Sequence, residues 1–400
     1  MLRYIARQPI LDSKQQTFGY ELLYRAARED FARISDPEGA SRRVLDDLLM
    51  LGIDELTRGR HVFLNCTQEV LTQRLVELLP TKHLVLEVLE TIVADHDLVQ
   101  SCAELKAAGY SLALDDFVPN ANTLPLVEFV DYIKIDFRAL TADQCRELVH
   151  RFGNKIQFVA EKIETHAEYA SARAMGCTLF QGYFFAEPAL LTVRQIPSMY
   201  TNYVRLLAAT CKPNFDFFAV EAIIKTDVAL CYKLLRFLNS AAFCLGSDIT
   251  SLRQALVILG ENAIRRWVCV SAAATAAKGK PAELLTLALL RARFCELLAG
   301  NARCNPYHGF MVGLFSLISA LLDMPLENIL KHVELPTEAH EALLGQPCRL
   351  RALLDLVGSY LDGDWDAVTA KSAKLEVSQQ QVTSCYLEAA RSADSLMAIV

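Results

Sequence analysis

The pattern of apolar and polar positions divides the chain into two parts. In residues 1–190, short apolar runs with the length of strands alternate with stretches in which apolar residues recur at helical spacing. The eight strand-like runs are Tyr4–Ile10, Phe18–Arg25, His61–Cys66, His83–Leu89, Ser111–Phe117, Tyr132–Phe137, Gln157–Ile163 and Thr178–Phe185. The helical stretches are Ser41–Leu51, Gln68–Leu79, Asp95–Ala108, Ala142–Phe152 and His166–Met175. Because strands that alternate with helices pair in parallel, eight of them favour a short, TIM-like (β/α) barrel over an open sheet.

After residue 190 the strand-like runs stop. The segment Ala186–Tyr200 breaks the alternation with two prolines, so we place a domain boundary there and expect domains at 1–190 and 191–400. Ser251–Gln254 has the pattern of a capping box that opens a helix ending at Gly260. Further helices are predicted at Leu230–Ala242, Ala263–Ala277, Glu283–Leu298, His308–Leu322 and Leu326–Val333. The predicted fold class is therefore α/β followed by all-α.

Seven of the apolar runs in the first part contain polar or charged residues. These residues are Glu21, Asn65, Glu87, the pair Asp115 and Asp116, Lys134, Glu161 and Gln181. An ionised group in such a run is costly to bury unless it is paired or holds a metal ion. A strand-end ion pair explains any single one of them, but seven in order indicate one shared site. Most of them fall in the middle or C-terminal half of their runs, and the C-terminal ends of barrel strands carry active sites.

The chemistry of this set favours a metal site. The candidate ligands Glu21, Asn65, Glu87, Asp115, Asp116 and Glu161 all offer oxygen. Oxygen ligands select Mg²⁺ or Mn²⁺, and five converging carboxylates suit two ions better than one. Two such ions can clamp a phosphodiester and lower the pKa of a bridging water. Lys134 would then orient that water or stabilise the developing charge, and Gln8 and Arg25 are candidate substrate contacts.

Composition and charge exclude several classes of partner. The chain has 400 residues, of which 52% are hydrophobic, and a formal net charge of −7 without a run of Lys and Arg. We therefore expect no binding of a nucleic-acid polymer. Its longest apolar stretches, such as Phe310–Leu322, are too short to insert into a membrane. The 12 cysteines form no C-x-x-C pair and no secretory signal is visible, so we expect a cytoplasmic protein.

The order of the motifs in the first part resembles that of the EAL domain, a family of phosphodiesterases that linearise cyclic di-GMP. The family's E-x-L-x-R corresponds to Glu21–Arg25, its asparagine to Asn65, its E-L-T-E to Glu87–Glu90, its D-D-F to Asp115–Phe117, its K-I-D to Lys134–Asp136, its A-E-x-x-E to Ala160–Glu164 and its Q-G-Y to Gln181–Tyr183. The resemblance implies a barrel of EAL type that hydrolyses cyclic di-GMP to linear pGpG with Mg²⁺ or Mn²⁺.

The resemblance also implies a role for each residue. The implied metal ligands are the six oxygen donors given above, and Lys134 is implied to assist the water. The expected catalytic residues are Glu21, Lys134, Glu161 and Gln181, and the expected substrate contacts are Gln8, Arg25, Asp136 and Gln181. Glu90 and Glu164 are expected beside the metal ligands. For these two residues and for Asp136, an ordinary ion pair is an equal alternative.

Two departures from the family pattern leave catalysis open. The Gly- and Ser-rich loop that usually follows D-D-F is replaced by Val118–Asn122, which contains a proline that stiffens the backbone. Thr178 stands where the family commonly has an aspartate. We lean towards an enzyme, a metal-dependent cyclic di-GMP phosphodiesterase. The alternatives are a non-catalytic receptor in which the pocket gates the helical domain, and a scaffold with a vestigial barrel.

The second part resembles the HDOD domain, a helical relative of metal-dependent HD phosphohydrolases that lacks their metal ligands. The matching stretches are Leu234–Phe243, Ile249–Ala255 and Leu259–Gly260. Ser316 and Leu317 stand where an active HD enzyme has its His-Asp pair, and neither holds a metal. The resemblance therefore implies an α-helical HDOD bundle that acts in binding or signalling. The expected partners are cyclic di-GMP, an unidentified protein bound through the HDOD domain, and a second copy of the chain in a homodimer.

Overall fold

A computed structural model gives the structure of most of the chain. The described residues are 3–26, 57, 59–120, 123–186, 206, 209–210, 215–226, 230–231, 234, 252–277, 279–330, 333 and 335–399. The chain forms two compact units, Met1–Glu187 with Tyr360–Trp365, and Pro188–Ser359 with Asp366–Val400. The predicted helix Ser41–Leu51, the capping box at Ser251 and most of Leu230–Ala242 lie outside the described residues.

The first unit contains a closed eight-stranded barrel, as the sequence predicts, with the strands in chain order. The strands are β1 (Arg3–Asp12), β2 (Thr17–Ala26), β3 (His61–Cys66), β4 (Leu84–Val88), β5 (Ser111–Leu114), β6 (Tyr132–Asp136), β7 (Gln157–Glu161) and β8 (Leu179–Gln181). Neighbouring strands from β2 to β8 pair in parallel. The register pairs Asn65 with Glu87, and Asp136 with Glu161.

The prediction that all strands pair in parallel is wrong for β1, which is antiparallel to both β2 and β8. The reason is the short connection between β1 and β2. The Asp12 carboxylate accepts hydrogen bonds from the backbone N–H groups of Lys14 (2.8 Å) and Gln16 (2.9 Å), and Gln15 adopts a positive φ of 58°. So short a turn cannot contain the crossover that parallel pairing requires, and it produces a hairpin.

The alternation of side chains along the strands places the polar residues inside the barrel. One interior layer is an apolar cluster formed by Ile10, Phe63, Val85, Ala113, Tyr132, Val159 and Leu179. Two positions further along β3 to β8, or directly after them, stand Asn65, Glu87, Asp115, Lys134, Glu161 and Gln181. Because side chains two apart lie on the same face of a strand, these polar residues form the next layer towards the C-terminal ends. The apolar layer closes the barrel beneath them.

Helices follow most of the parallel strands, with ends that the sequence explains. They are Gln68–Thr72, His96–Ala107, Ala142–Phe152 and His166–Ala174. The side chains of Asp95, Thr141 and Thr165 cap the last three by accepting backbone N–H groups. The predicted helix Gln68–Leu79 is interrupted, because Arg74 has a positive φ of 54° and a separate 3₁₀ turn follows at Leu75–Leu78.

The described part of the second unit is helical, as predicted. The described helices from residue 217 onward are Phe217–Lys225, Leu252–Ala276, Ala282–Asn301, Pro306–Phe315, Ile318–Leu322, Leu326–Leu330, Thr337–Leu343, Arg349–Leu361, Trp365–Leu375 and Gln379–Ile399. Gly260 breaks the second of these with a φ of 72°, where the sequence predicts a helix end. Among the described residues, no helix is both long and apolar enough to cross a membrane.

The predicted continuous helix His308–Leu322 is wrong. The structure has two helices there, Pro306–Phe315 and Ile318–Leu322. The Ser316 hydroxyl donates a 2.7 Å hydrogen bond to the carbonyl of Gly313, and Leu317 leaves the helical conformation. This local bond competes with the helix ladder, so the apolar period continues while the backbone turns.

Close helix packing in the second unit gives a testable prediction at Gly313. A Cβ added there would lie 2.4 Å from the carbonyl oxygen of Arg291 and 2.7 Å from the Cα of Ala292. Gly313→Ala should therefore destabilise the chain by about 1–3 kcal/mol, because neither backbone atom can move cheaply. The measurement is the melting temperature of the full chain, followed by circular dichroism.

Gly358→Ala is the matched control, because Gly358 also lies in a helix but nothing stands within 4 Å of its added Cβ. This substitution should raise the stability by about 0.5–1 kcal/mol, since alanine favours helix. A Gly313→Ala chain that melts like the wild type would contradict the packing of the Pro306–Phe315 helix on the Ala282–Asn301 helix.

Candidate active site

One buried lysine stands at the centre of the polar layer. The Lys134 side chain is 1% exposed, and its Nζ lies 2.9 Å from Glu87 Oε1, 2.9 Å from Asp115 Oδ1, 2.9 Å from Glu161 Oε1 and 3.2 Å from Glu21 Oε2. The four carboxylates come from β2, β4, β7 and the end of β5, and the lysine comes from β6. The structure thus brings together five of the residues that the sequence singles out.

The charges in this cluster do not balance. Burial is the main cause that raises the pKa of Glu87, Asp115 and Glu161, the last to about 8, and repulsion between carboxylates adds to it. Burial also disfavours the charged form of Lys134, but the four carboxylates outweigh it and raise the pKa of this lysine well above its usual value. With all four carboxylates ionised, one ammonium cannot compensate them, so a further cation in the cluster would favour their ionised form.

Two side-chain amides donate hydrogen bonds to Glu21, and a third, that of Gln8, joins the same network. Asn65 Nδ2 donates to Glu21 Oε1 (2.9 Å), and Gln181 Nε2 donates to Glu21 Oε2 (2.7 Å) and to Gln8 Oε1 (2.9 Å). Burial alone would raise the pKa of Glu21, but Lys134 and these hydrogen bonds together lower it. Gln8 therefore belongs to the same network, opposite Glu21 in the β1–β2 register.

Gln181 depends on the glycine that follows it. Gly182 adopts a φ of 142°, and a Cβ there would lie 2.0 Å from the carbonyl oxygen of Ile163. Gly182 is the middle residue of the Q-G-Y motif, and this clash explains why that position requires glycine. The close approach holds the end of β8 against the segment that follows β7, which keeps the Gln181 amide on Glu21.

Asp116 and Asp136 lie apart from the inner cluster and share a lysine that the sequence analysis missed. Lys162 Nζ lies 2.6 Å from Asp136 Oδ2 and 3.4 Å from Asp116 Oδ2. Asp136 also accepts hydrogen bonds from the backbone N–H groups of Arg138 (2.8 Å) and Ala139 (3.3 Å). The signal for Lys162 was its place directly after Glu161, where a long cationic side chain can reach the neighbouring strand ends.

Two other predicted residues, Glu90 and Glu164, are not in this cluster. Glu90 is exposed in the turn after β4. Glu164 is exposed and forms an ion pair with Arg138, which agrees with the alternative of an ordinary ion pair. Arg25 belongs to β2, but its side chain lies outside the described residues.

The donor atoms fit a hard divalent cation, although the inner carboxylates close on Lys134. Within the described part of the chain, no group of three or more His, Cys, Asp or Glu side chains forms a ready cage for a metal. The cluster nevertheless offers only oxygen donors around its excess negative charge, and Glu87 Oε2 and Asp116 Oδ1 are buried without a hydrogen-bond partner. Such a donor set suits Mg²⁺ or Mn²⁺.

The central lysine gives a prediction about stability without metal. In Lys134→Met the four carboxylates lose their counter-ion, and in the presence of EDTA this should cost about 3–5 kcal/mol at neutral pH. This loss of stability should shrink as the pH falls. A buried carboxyl group with a raised pKa destabilises the folded state when it is ionised, and protonation removes that penalty. For Glu161 that window runs from its usual value of 4.5 up to about pH 8.

The measurement is the melting temperature of wild type and variant at several pH values between 5 and 8. This range lies between the usual and the raised pKa of Glu161. Lys82→Met is the control, since Lys82 is exposed before β4 and should change the melting temperature little at any pH. A deficit in Lys134→Met that is the same at every pH would show that lost packing, and not charge, is responsible.

Family models match both parts of the chain. The EAL domain model matches residues 4–188, and the HDOD domain model matches residues 196–335. Among solved structures, the c-di-GMP complex of the phosphodiesterase PaMucR is 22% identical with a TM-score of 0.40, and the match covers 46% of this chain and 95% of that one.

Two full-length relatives carry the assignment further. The chain is 35% identical to the cyclic di-GMP phosphodiesterase CdgJ of Vibrio cholerae over 97% of its own length and 91% of that protein. It is 36% identical to the uncharacterized protein YuxH of Bacillus subtilis over 98% of both chains. The chain belongs to the family of proteins that join an EAL barrel to a helical HDOD domain.

Proposed function

We propose that this chain is a metal-dependent phosphodiesterase that hydrolyses cyclic di-GMP to linear pGpG. The observation that carries the proposal is the convergence of Glu21, Glu87, Asp115 and Glu161 on one buried point at the C-terminal ends of the barrel strands. The full-length similarity to a protein named as a cyclic di-GMP phosphodiesterase gives the substrate. The reaction splits one of the two phosphodiester bonds of the cyclic dinucleotide by addition of water.

The inner oxygen donors would hold the metal. These are Glu21, Asn65, Glu87, Asp115 and Glu161, with Asp116 at the rim of the site. When bound, Mg²⁺ or Mn²⁺ lowers the pKa of an attacking water and stabilises charge on the phosphate. Gln181 and Asn65 keep Glu21 ionised and correctly turned, through hydrogen bonds of 2.7 and 2.9 Å.

Lys134 would serve the reaction as a fixed positive charge. Its ammonium lies within 3.2 Å of all four inner carboxylates, and it is almost fully buried. It therefore holds the ligands together and can stabilise the negative charge that develops on a phosphate oxygen. Gln8, Arg25 and Asp136 are proposed to contact the dinucleotide, with Gln8 already joined to Gln181 at 2.9 Å.

A second candidate is a cyclic di-GMP receptor without turnover, and the loop after Asp116 favours it. Thr123 Oγ1 donates to the carbonyl of Val118 (2.8 Å), and Asn120 exchanges hydrogen bonds with Thr123. These bonds, together with Pro119, hold the described part of the loop in one conformation. A loop that cannot adjust around the ligands would bind the dinucleotide without hydrolysing it.

We propose that the HDOD domain binds a protein partner and has no catalytic metal of its own. The Ser316 hydroxyl, at the place of the HD pair, is engaged with the carbonyl of Gly313, and Leu317 is buried. Neither residue can ligate a metal in this setting. A well-packed helical domain without catalytic groups at that position is suited to signalling through its surface.

The proposal predicts that purified protein converts cyclic di-GMP to pGpG with Mg²⁺ or Mn²⁺ and not with EDTA, as resolved by chromatography. Glu21→Gln keeps the shape of the side chain but removes its charge, and should lower the rate by more than about 100-fold. Glu147→Gln is the control, since Glu147 is exposed on the Ala142–Phe152 helix and should leave the rate unchanged.

The outcome separates the two candidates. Binding of cyclic di-GMP by calorimetry without any product, in either metal, would contradict the phosphodiesterase and favour the receptor. Absence of both binding and hydrolysis would overturn the use of the barrel for this dinucleotide.

A further inference from the structure

The rim of the site contains a second lysine–carboxylate cluster, in which the lysine has no assigned role. It consists of Asp116, Asp136 and Lys162, joined by the contacts of 3.4 and 2.6 Å from Lys162 Nζ. Asp116 has a φ of 39° and Lys162 has a φ of 57°. Both values lie in the left-handed region of backbone conformation, which residues other than glycine and asparagine rarely adopt. Strain of this kind on two facing loops indicates that their side chains are held for a purpose.

The two aspartates of the rim differ in what holds them. Asp136 is fixed by two backbone N–H groups besides Lys162. Asp116 contacts Lys162 through its Oδ2, and its Oδ1 is buried without a hydrogen-bond partner. Asp116 directly follows the inner ligand Asp115, so a cation shared by these two residues would lie beside the Lys162 ammonium.

We propose that the Lys162 ammonium takes the place of a second divalent cation, so that the chain binds one ion tightly and a second only weakly. This inference rests on the proposed function. The inner cluster has four carboxylates for one ammonium, so it carries a large excess of negative charge once a bound cation favours the ionised form of all four. The rim has two carboxylates for one ammonium, so the attraction left for a divalent ion is much smaller.

The position of Lys162 supports a role tied to the cation. Its side chain is 49% exposed, so the ion pairs alone stabilise the fold little and do not explain the left-handed backbone. The lysine is covalently tethered next to Glu161, and its charge cannot diffuse away as a bound ion can. It lowers the affinity of the rim for a second ion at any metal concentration.

The test is a titration of the metal-free full chain with Mn²⁺ alone, followed by electron paramagnetic resonance. Free Mn²⁺ is counted from its own signal, and two ions about 3.5–4 Å apart give a distinct exchange-coupled spectrum. Wild type should bind one ion tightly and the second at least about tenfold more weakly, without a coupled signal at one equivalent.

Two variants separate the charge of Lys162 from its backbone. Lys162→Gln keeps the side chain long and the backbone strained, whereas Lys162→Gly removes both the charge and the strain at φ 57°. Both substitutions should raise the affinity for the second Mn²⁺ ion by about tenfold and produce the exchange-coupled signal. Lys155→Gln is the matched control, because Lys155 is exposed just before β7, at the opposite end of that strand from Lys162. This substitution should leave the affinity for both ions unchanged.

Three results would overturn the inference. Two equally tight ions in wild type would show that Lys162 does not exclude the second. An unchanged second affinity in both Lys162 variants would do the same, and either result leaves the proposed phosphodiesterase intact. Failure of wild type to bind any Mn²⁺, with or without cyclic di-GMP, would remove the metal from the proposed function as well.

Discussion

The ion cluster around Lys134 is the constraint on which the rest of the barrel depends. Four carboxylates and one ammonium are buried together, and removing Lys134 leaves the carboxylates without a counter-ion in a medium of low polarity. Five strands must therefore end at the same level along the barrel axis for the cluster to form. The apolar layer two residues earlier in most of these strands sets that level, because it packs only when all strands are in register.

Much of this arrangement could be predicted from the sequence, because a barrel interior follows a period of two. A polar residue two positions after a buried Val, Ala or Tyr, repeated on successive strands, leaves one place for the side chains to meet. Distances could not be predicted. The sequence contains Lys134 and the four carboxylates, but only the closed barrel shows that all four lie within 3.2 Å of one nitrogen.

The failures of prediction have local causes. The antiparallel β1 follows from a turn at Asp12–Gln16, whose carboxylate bonds are invisible to a count of apolar residues. The helix predicted at His308–Leu322 breaks where Ser316 bonds back to Gly313, although the apolar period runs on without interruption. The contacts of Lys162 with Asp116 and Asp136 could not be predicted, because they depend on its left-handed backbone conformation, which the sequence pattern does not indicate.

Under the proposed function, the resident lysines change what binding a cation means for this site. A divalent ion that enters the inner cluster does not fill an empty cage; it competes with the Lys134 ammonium for the same carboxylate oxygens. Its affinity therefore reflects a difference between two charged states, and the excess of carboxylates decides that difference in favour of the ion. At the rim the excess is smaller, so the same competition has the opposite result. The ratio of carboxylates to lysines, more than the number of carboxylates, sets how many ions the barrel holds.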